Sequence, residues 1–235
     1  MKNNQPGGTA VGAAGERQYI ISLPHRAAFG REDFIVGACN EQAVTMIDRW
    51  PEWPHRVFSM IGPAGSGKSH LARVWQKLCD GRVIPAADLT VDGVPNLLSR
   101  HALVVEDGDS LRDEAALFHL LNLVAQEDAW LLVTSVTPLA HWPIQDAGLS
   151  SRLSSVPSVS LEAPSDDVLA GVLEKLFRDR QLDVSRDLAP YLVTRMERSF
   201  DAAQRVVDKL DRVSLARQQR ISKRLASEVL DQIML

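Results

Sequence analysis

A chain of 235 residues with 45% hydrophobic content is long enough to bury one medium core, or a core with a small companion domain. Its net charge of -4 spreads no basic field of the kind that attracts nucleic acid, and its two cysteines, Cys39 and Cys79, have no metal-ligand spacing and suggest no disulfide framework. The sequence shows no secretory signal and no apolar run long enough for a membrane span, so a cytoplasmic protein without a membrane partner is expected.

Residues 1–17 are rich in Gly, Ala and Asn without periodicity and read as a disordered tail. In the RQYIISLPHR stretch that follows, residues 18–24 hold Gln18 with apolar Ile21 and Leu23 after it. A glutamine so placed on a flexible tail resembles the peptide that bacterial proteins insert into the sliding clamp of DNA polymerase. Apolar anchors would fill a preformed groove while the polar residue sets register. A short strand packed on the domain explains the same residues.

Residues 25–163 read as an α/β nucleotide-binding core. Asn40 stands where it can cap a helix whose apolar face holds Ala43, Met46, Ile47 and Trp50, with Pro51 and Pro54 beyond it. The FIVG segment before it, containing Phe34, Val36 and Gly37, is read either as packing or as a backbone and apolar wall for an adenine ring. Residues 57–61 (VFSMI) predict a short buried strand. GPAGSGKS follows, and it fits G-x-x-x-x-G-K-[ST] at every fixed position. Gly62, Pro63, Ala64, Gly65, Ser66 and Gly67 would wrap backbone N–H groups round a phosphate chain. Lys68 reaches the β/γ oxygens, Ser69 offers a hydroxyl to Mg2+, and Ser69 and His70 open a helix whose positive end faces the phosphates. ATP or ADP with Mg2+ is therefore the expected cofactor.

Residues 82–86 predict a strand and residues 94–100 a short helix. Residues 102–106 (ALVVE) are a buried-strand run ending in the acidic pair Glu106 and Asp107, a Walker B pattern. Glu106 is the candidate metal ligand and Asp107 the acid that orients the attacking water. A helix over residues 113–128 and a strand over 130–135 come next. Thr134 and Ser135 at that strand's end are read as touching the γ-phosphate or as a polar terminus. Arg152 lies in a polar segment before a strand over 158–162. There an arginine can serve a neighbouring molecule's nucleotide, where a guanidinium stabilises charge on the transferring phosphoryl group. From residue 164 to 235 the pattern is helical only. Four helices are predicted, at 166–180 with Ser165 as cap, 186–196, 199–217 and 222–233. The late cluster Arg212, Arg217, Arg220, Lys223 and Arg224 is interspersed with apolar positions and reads as a solvated face. Strands first and helices after predict a parallel-sheet P-loop core with a small all-helical lid.

These motifs resemble the AAA+ ATPases, and within them the DnaA/Hda family, especially its shorter Hda members. FIVGACNEQA is similar to the family's first box, F-V-V-G-x-x-N-x-x-A, which implies that Phe34, Val36, Gly37 and Asn40 serve the adenine. LSSRL is similar to the arginine-finger box and points to Arg152. ERSFDAA is similar to the sensor-2 motif and points to Arg198, with Arg205 as the alternative. Two positions depart from the family pattern: Glu106 stands where the initiator carries Asp, and Val136 where a polar sensor is usual. Both lead to an expectation of weak intrinsic hydrolysis. No helix-turn-helix motif follows the lid in this sequence. The resemblance implies a regulator of replication initiation that binds the clamp, meets DNA indirectly through it, and stimulates hydrolysis of ATP on the initiator DnaA. Homo-oligomerisation is compatible with the same reading. A self-sufficient P-loop ATPase and a helicase-loader-type ATPase remain the alternatives.

Overall fold

Five apolar segments, β1 (Val57–Ile61), β2 (Arg82–Pro85), β3 (Ala102–Glu106), β4 (Trp130–Ser135) and β5 (Ser158–Ser160), build one sheet in a computed structural model that describes residues 35–233. The strand order is β2-β3-β4-β1-β5, and every pairing is parallel. Parallel strands need crossover connections, and the helices that make them cover both faces. This is why β3 and β4 read as unbroken apolar runs rather than alternating ones.

Alternation still decides which face each side chain serves. Leu103 and Val105 of β3, with Leu131 and Val133 of β4, pack with α3 (Glu114–Gln126) and α4 (Ala147–Ser154). Val104, Leu132 and Met60 pack on the other face with α1 (Glu41–Asp48) and α2 (Lys68–Leu78). On that face Trp53 stacks on Trp75 at 5.1 Å, and its indole N–H donates to the Met46 carbonyl at 2.6 Å. Each fully buried leucine or valine contributes about 1.5–3 kcal/mol, so the two faces together hold the sheet between helical layers.

The chain then turns wholly helical: α5 (Asp166–Asp179), α6 (Leu188–Val193), α7 (Phe200–Arg217) and α8 (Lys223–Ile233). These four close on a core of their own. Leu169, Leu173 and Phe177 of α5, at helical spacing, meet Val206 and Leu210 of α7 and Leu225 and Val229 of α8. Ser165 and Ser199 cap α5 and α7, accepting from the Val168 and Ala202 N–H groups.

The structure departs from the sequence reading at several local points. The residues around Arg152, read as a polar segment, form helix α4. Asp146 accepts from the Leu149 N–H at 2.7 Å to start it, and Leu149 and Leu153, one turn apart, bury its inner face. The short helix expected over 94–100 is a single 3-10 turn at Val94–Asn96; the chain goes on in turns to His101, whose left-handed backbone (φ 55°) leads into β3. The helix expected over 186–196 is the shorter α6, and the strand expected over 158–162 ends at Ser160. Asn40 stands at the cap position of α1 but does not cap it with its side chain. Its amide turns back into the preceding loop.

Candidate nucleotide-binding site

β1 delivers the chain into residues 62–69. The Gly62 N–H donates to the Ser135 carbonyl at 3.1 Å, which fastens the loop's entrance to the end of β4. A Cβ on Gly62 would lie 2.4 Å from the Leu161 carbonyl oxygen, so no larger residue fits. Gly65 (φ 69°) and Gly67 (φ 96°) take left-handed backbone conformations that glycine adopts without steric cost. Gly67 is the residue from which α2 springs. Lys68 folds back into the loop: its Nζ donates to the Gly62 carbonyl at 2.6 Å and the Pro63 carbonyl at 2.9 Å, and the residue is only 8% exposed. Burial pushes its pKa below the ordinary value, opposed by the charges of Asp107, Asp109 and Asp201. Ser66 is buried, and its Oγ has no hydrogen-bond partner. A buried ammonium that meets only loop carbonyls, an unsatisfied hydroxyl and glycines that admit no side chain fit a bound phosphate chain, whose oxygens would satisfy both donors.

Ser69 is exposed on the first turn of α2, and His70 beside it is half-buried. At the end of β3 the acidic pair divides. The Glu106 side chain is 14% exposed, and its Oε2 lies 3.3 Å from Nη2 of Arg73 on α2, while its Oε1 is buried without a hydrogen-bond partner. Asp107 is exposed, in a left-handed conformation (φ 54°), with its N–H donating to the Thr134 hydroxyl at 3.2 Å. Asp109 spans to the end of β4, accepting from the N–H groups of Val136 at 2.5 Å and Thr137 at 2.9 Å. Burial pushes the Asp109 carboxyl upward, but these two hydrogen bonds prevail and hold its pKa below the ordinary value. Thr134 and Ser135 are buried. The Ser135 hydroxyl donates to the Thr137 carbonyl at 2.8 Å, within its own loop, whereas the Thr134 hydroxyl accepts from Asp107 at the end of β3. Val136 is 55% exposed at the same rim. Among the described residues no group of three or more His, Cys, Asp or Glu is arranged to hold a metal ion.

Residues 35–40 form a small clasp. Asn40 accepts from the Gly37 N–H at 2.9 Å and donates to the Ile35 carbonyl at 3.0 Å, holding the loop from both sides. A Cβ on Gly37 would sit 2.4 Å from a methyl of Val168, so this loop presses directly on α5 of the lid. Val36 remains 46% exposed. The lid also touches the phosphate loop: the Phe200 N–H donates to the Gly65 carbonyl at 2.9 Å, and the space a Gly65 side chain would need is filled by Ser199. Arg198, next in sequence to that contact, pairs with Asp166 at 3.0 Å; Arg205 pairs with Glu197 at 3.3 Å. Both guanidiniums are exposed.

Arg152 is elsewhere. It is exposed on α4, with Nη1 donating to Asn122 Oδ1 at 2.5 Å and its guanidinium 5.3 Å from the centre of the Phe118 ring, both on α3. The structure therefore gathers residues 36–40, residues 62–70, the end of β3 and the start of α7, and keeps Arg152 on a separate surface. Gln18, Ile21, Leu23 and Phe34 lie outside the described residues. Three participants were absent from the sequence reading. Arg73 had a signal, since it lies one helical turn beyond Ser69; Asp109 and the Ser199–Phe200 contact depend on the tertiary fold.

Residues 166–230 match the family model of the Hda lid domain. The chain is 26% identical over 187 residues to an uncharacterized protein of Haemophilus influenzae, covering 74% of this chain and 81% of that one. Among solved structures it is similar to domain III of the Thermotoga maritima replication initiation protein DnaA, with a TM-score of 0.72 at 16% identity over 89% of this chain and 98% of that domain. AMPPCP-bound DnaA from Aquifex aeolicus is similar with a TM-score of 0.63 at 18% identity, over 79% of this chain and 65% of that one. The Thermotoga maritima RuvB Holliday junction branch migration motor is similar with a TM-score of 0.59 at 17% identity, over 75% of this chain and 61% of that one. Residues 166–230 therefore carry a lid of the Hda type, and the parallel sheet and P-loop before them share the fold of the DnaA and RuvB structures.

Proposed function

We propose that this chain is an adenine-nucleotide-binding regulator of replication initiation, which acts by stimulating hydrolysis of ATP held by the initiator DnaA. The observation that carries the reading is the Hda-type lid seated on the phosphate loop at Gly65, over a buried Lys68. Residues 62–70 hold the phosphates of ATP or ADP, and Ser69 carries the hydroxyl that the motif offers to Mg2+. Val36, Gly37 and Asn40, with Phe34 before them, face the adenine. Arg198, with Arg205 as the alternative, would swing from its acid to the nucleotide when phosphate is present. Arg152 is the catalytic residue, and it serves the partner. Its exposure supports this role, because a guanidinium on an outer helix can enter a second molecule's site and stabilise charge on the transferring phosphoryl group. Gln18, Ile21 and Leu23 tether the chain to the sliding clamp in the cytoplasm, bringing it to DNA without contacting bases.

A second reading, a self-sufficient ATPase, draws on Asp107, an exposed acid whose charge Lys68 feels. The Arg73 partner of Glu106 and the apolar Val136 speak for weak turnover instead. Purified chain alone that hydrolysed ATP at roughly 1–100 s⁻¹ would favour the second reading. The test of the first is initiator-bound ATP hydrolysis on clamp-loaded DNA. The native chain accelerates it. Gln18→Ala with Leu23→Ala is expected to lose both co-elution with the clamp and the acceleration. Retention of both would leave the tail as ordinary packing.

A further inference from the structure

We infer that Arg73 is a built-in counter-charge for the Walker B acid, occupying the flank of Glu106 from which a magnesium ion would approach, so that this chain holds nucleotide with little help from magnesium. The inference rests on the nucleotide reading of residues 62–69. Its basis is an account of the two carboxylate oxygens. Oε2 faces the Arg73 guanidinium at 3.3 Å, and Oε1 is buried with no hydrogen-bond partner. Magnesium demands near-octahedral oxygen ligation and releases its waters reluctantly. A hydrated ion finds one oxygen of Glu106 covered and the other sealed from solvent.

The source of the cation matters as much as its presence. Arg73 follows Ser69 by four residues on α2, and so shares its face of the helix. The guanidinium therefore enters from the side of the hydroxyl that the motif assigns to the metal. Arginine cannot be deprotonated in a protein, so its charge is permanent. A divalent ion seeking the same carboxylate would meet a fixed like charge. The Arg73 side chain is 44% exposed but that of Glu106 only 14%, so the guanidinium faces an acid that has lost most of its water and would otherwise draw another cation. The other acid, Asp107, is exposed, and its charge reaches Lys68.

The test is the Kd of ADP for the full chain, measured calorimetrically in excess Mg2+ and again in EDTA. The native chain is expected to differ by less than about threefold between the two, and Arg73→Ala by more than about tenfold, since release of Glu106 restores a metal ligand. Adding Glu106→Gln to Arg73→Ala should return the protein to insensitivity. A native chain that weakens more than about tenfold in EDTA overturns the inference, as does an Arg73→Ala variant as insensitive as the native. Glu106→Gln alone decides the matter if Arg73→Ala does not fold. The expected result is an unchanged magnesium dependence, and a dependence that this change abolishes identifies Glu106 as a ligand and refutes the proposal. No ADP binding in either buffer would overturn the nucleotide reading itself.

Discussion

Lys68 and Arg152 are both cations on helices beside the same sheet, and the fold treats them in opposite ways. Lys68 is buried, its ammonium drawn into the loop by two carbonyls and its pKa lowered by the loss of water. Arg152 is exposed, resting over Phe118 and bonded to Asn122. A desolvated cation held among its own loop's acceptors is prepared to receive an anion. A solvated one at the outer edge of a helix is prepared to be delivered to something else. The contrast sets the proposed nucleotide site, which would belong to the chain, against the group proposed to serve a partner.

The largest expected effect that can break this contrast is at Lys68. Lys68→Ala removes the buried ammonium that faces the phosphates. Nucleotide affinity should fall by about a hundredfold or more, on the scale of charge-assisted hydrogen bonds. A calorimetric titration with unchanged affinity would remove residues 62–69 from the site. The next effect is at Gly65, where the phosphate loop meets the lid. Gly65→Ala forces a side chain into a left-handed conformation, with its Cβ 2.3 Å from that of Ser199. Strain of this kind costs about 1–3 kcal/mol, visible as a lowered denaturation midpoint. An unchanged midpoint would show that the lid does not rest on the loop as described.

The smallest effect is electrostatic and belongs to the lid alone. Asp187, at 2.5 Å from the Lys223 ammonium, is held to a pKa of about 2 by hydrogen bonds from Lys223 and Ser185. Its folded pKa is depressed below the ordinary 3.8, so the contribution is complete above pH 3.8 and is lost as pH falls towards about 2. The Asp187 side chain is exposed, so salt should weaken the effect. In acid titrations Lys223→Ala should flatten the loss of helicity over this window, and an identical titration would show the pair to be inert.

Legibility from sequence followed the range of the forces involved. β1, β3 and β4 were readable to the residue, because each is an apolar run that must be buried on both faces. The P-loop was readable because its spacing encodes local backbone geometry. Helix α4 was not, since its serines hide an amphipathic pattern carried by Leu149 and Leu153 alone. Asn40 was misread as a side-chain cap because its amide has a competing use, clasping Gly37 and Ile35. The Arg73–Glu106 pair joins residues 33 apart in sequence and exists only because α2 is laid across β3. Local patterns predict local structure, whereas which charge neutralises which is settled by packing.

The central claim is that Arg152 contributes nothing to this chain's own nucleotide and is required by another's. The direct measurement is single-turnover hydrolysis of labelled ATP pre-bound to the initiator, with clamp-loaded DNA and either the native chain or Arg152→Ala. The variant's own ADP affinity is titrated alongside. Arg152→Ala should fold, keep its ADP affinity, and lose the stimulation by a factor approaching the roughly 10³ of arginine fingers. Arg152→Lys should fail likewise, for want of the planar fork of donors. A variant that stimulates as well as the native chain, or that loses its own ADP, would contradict the account.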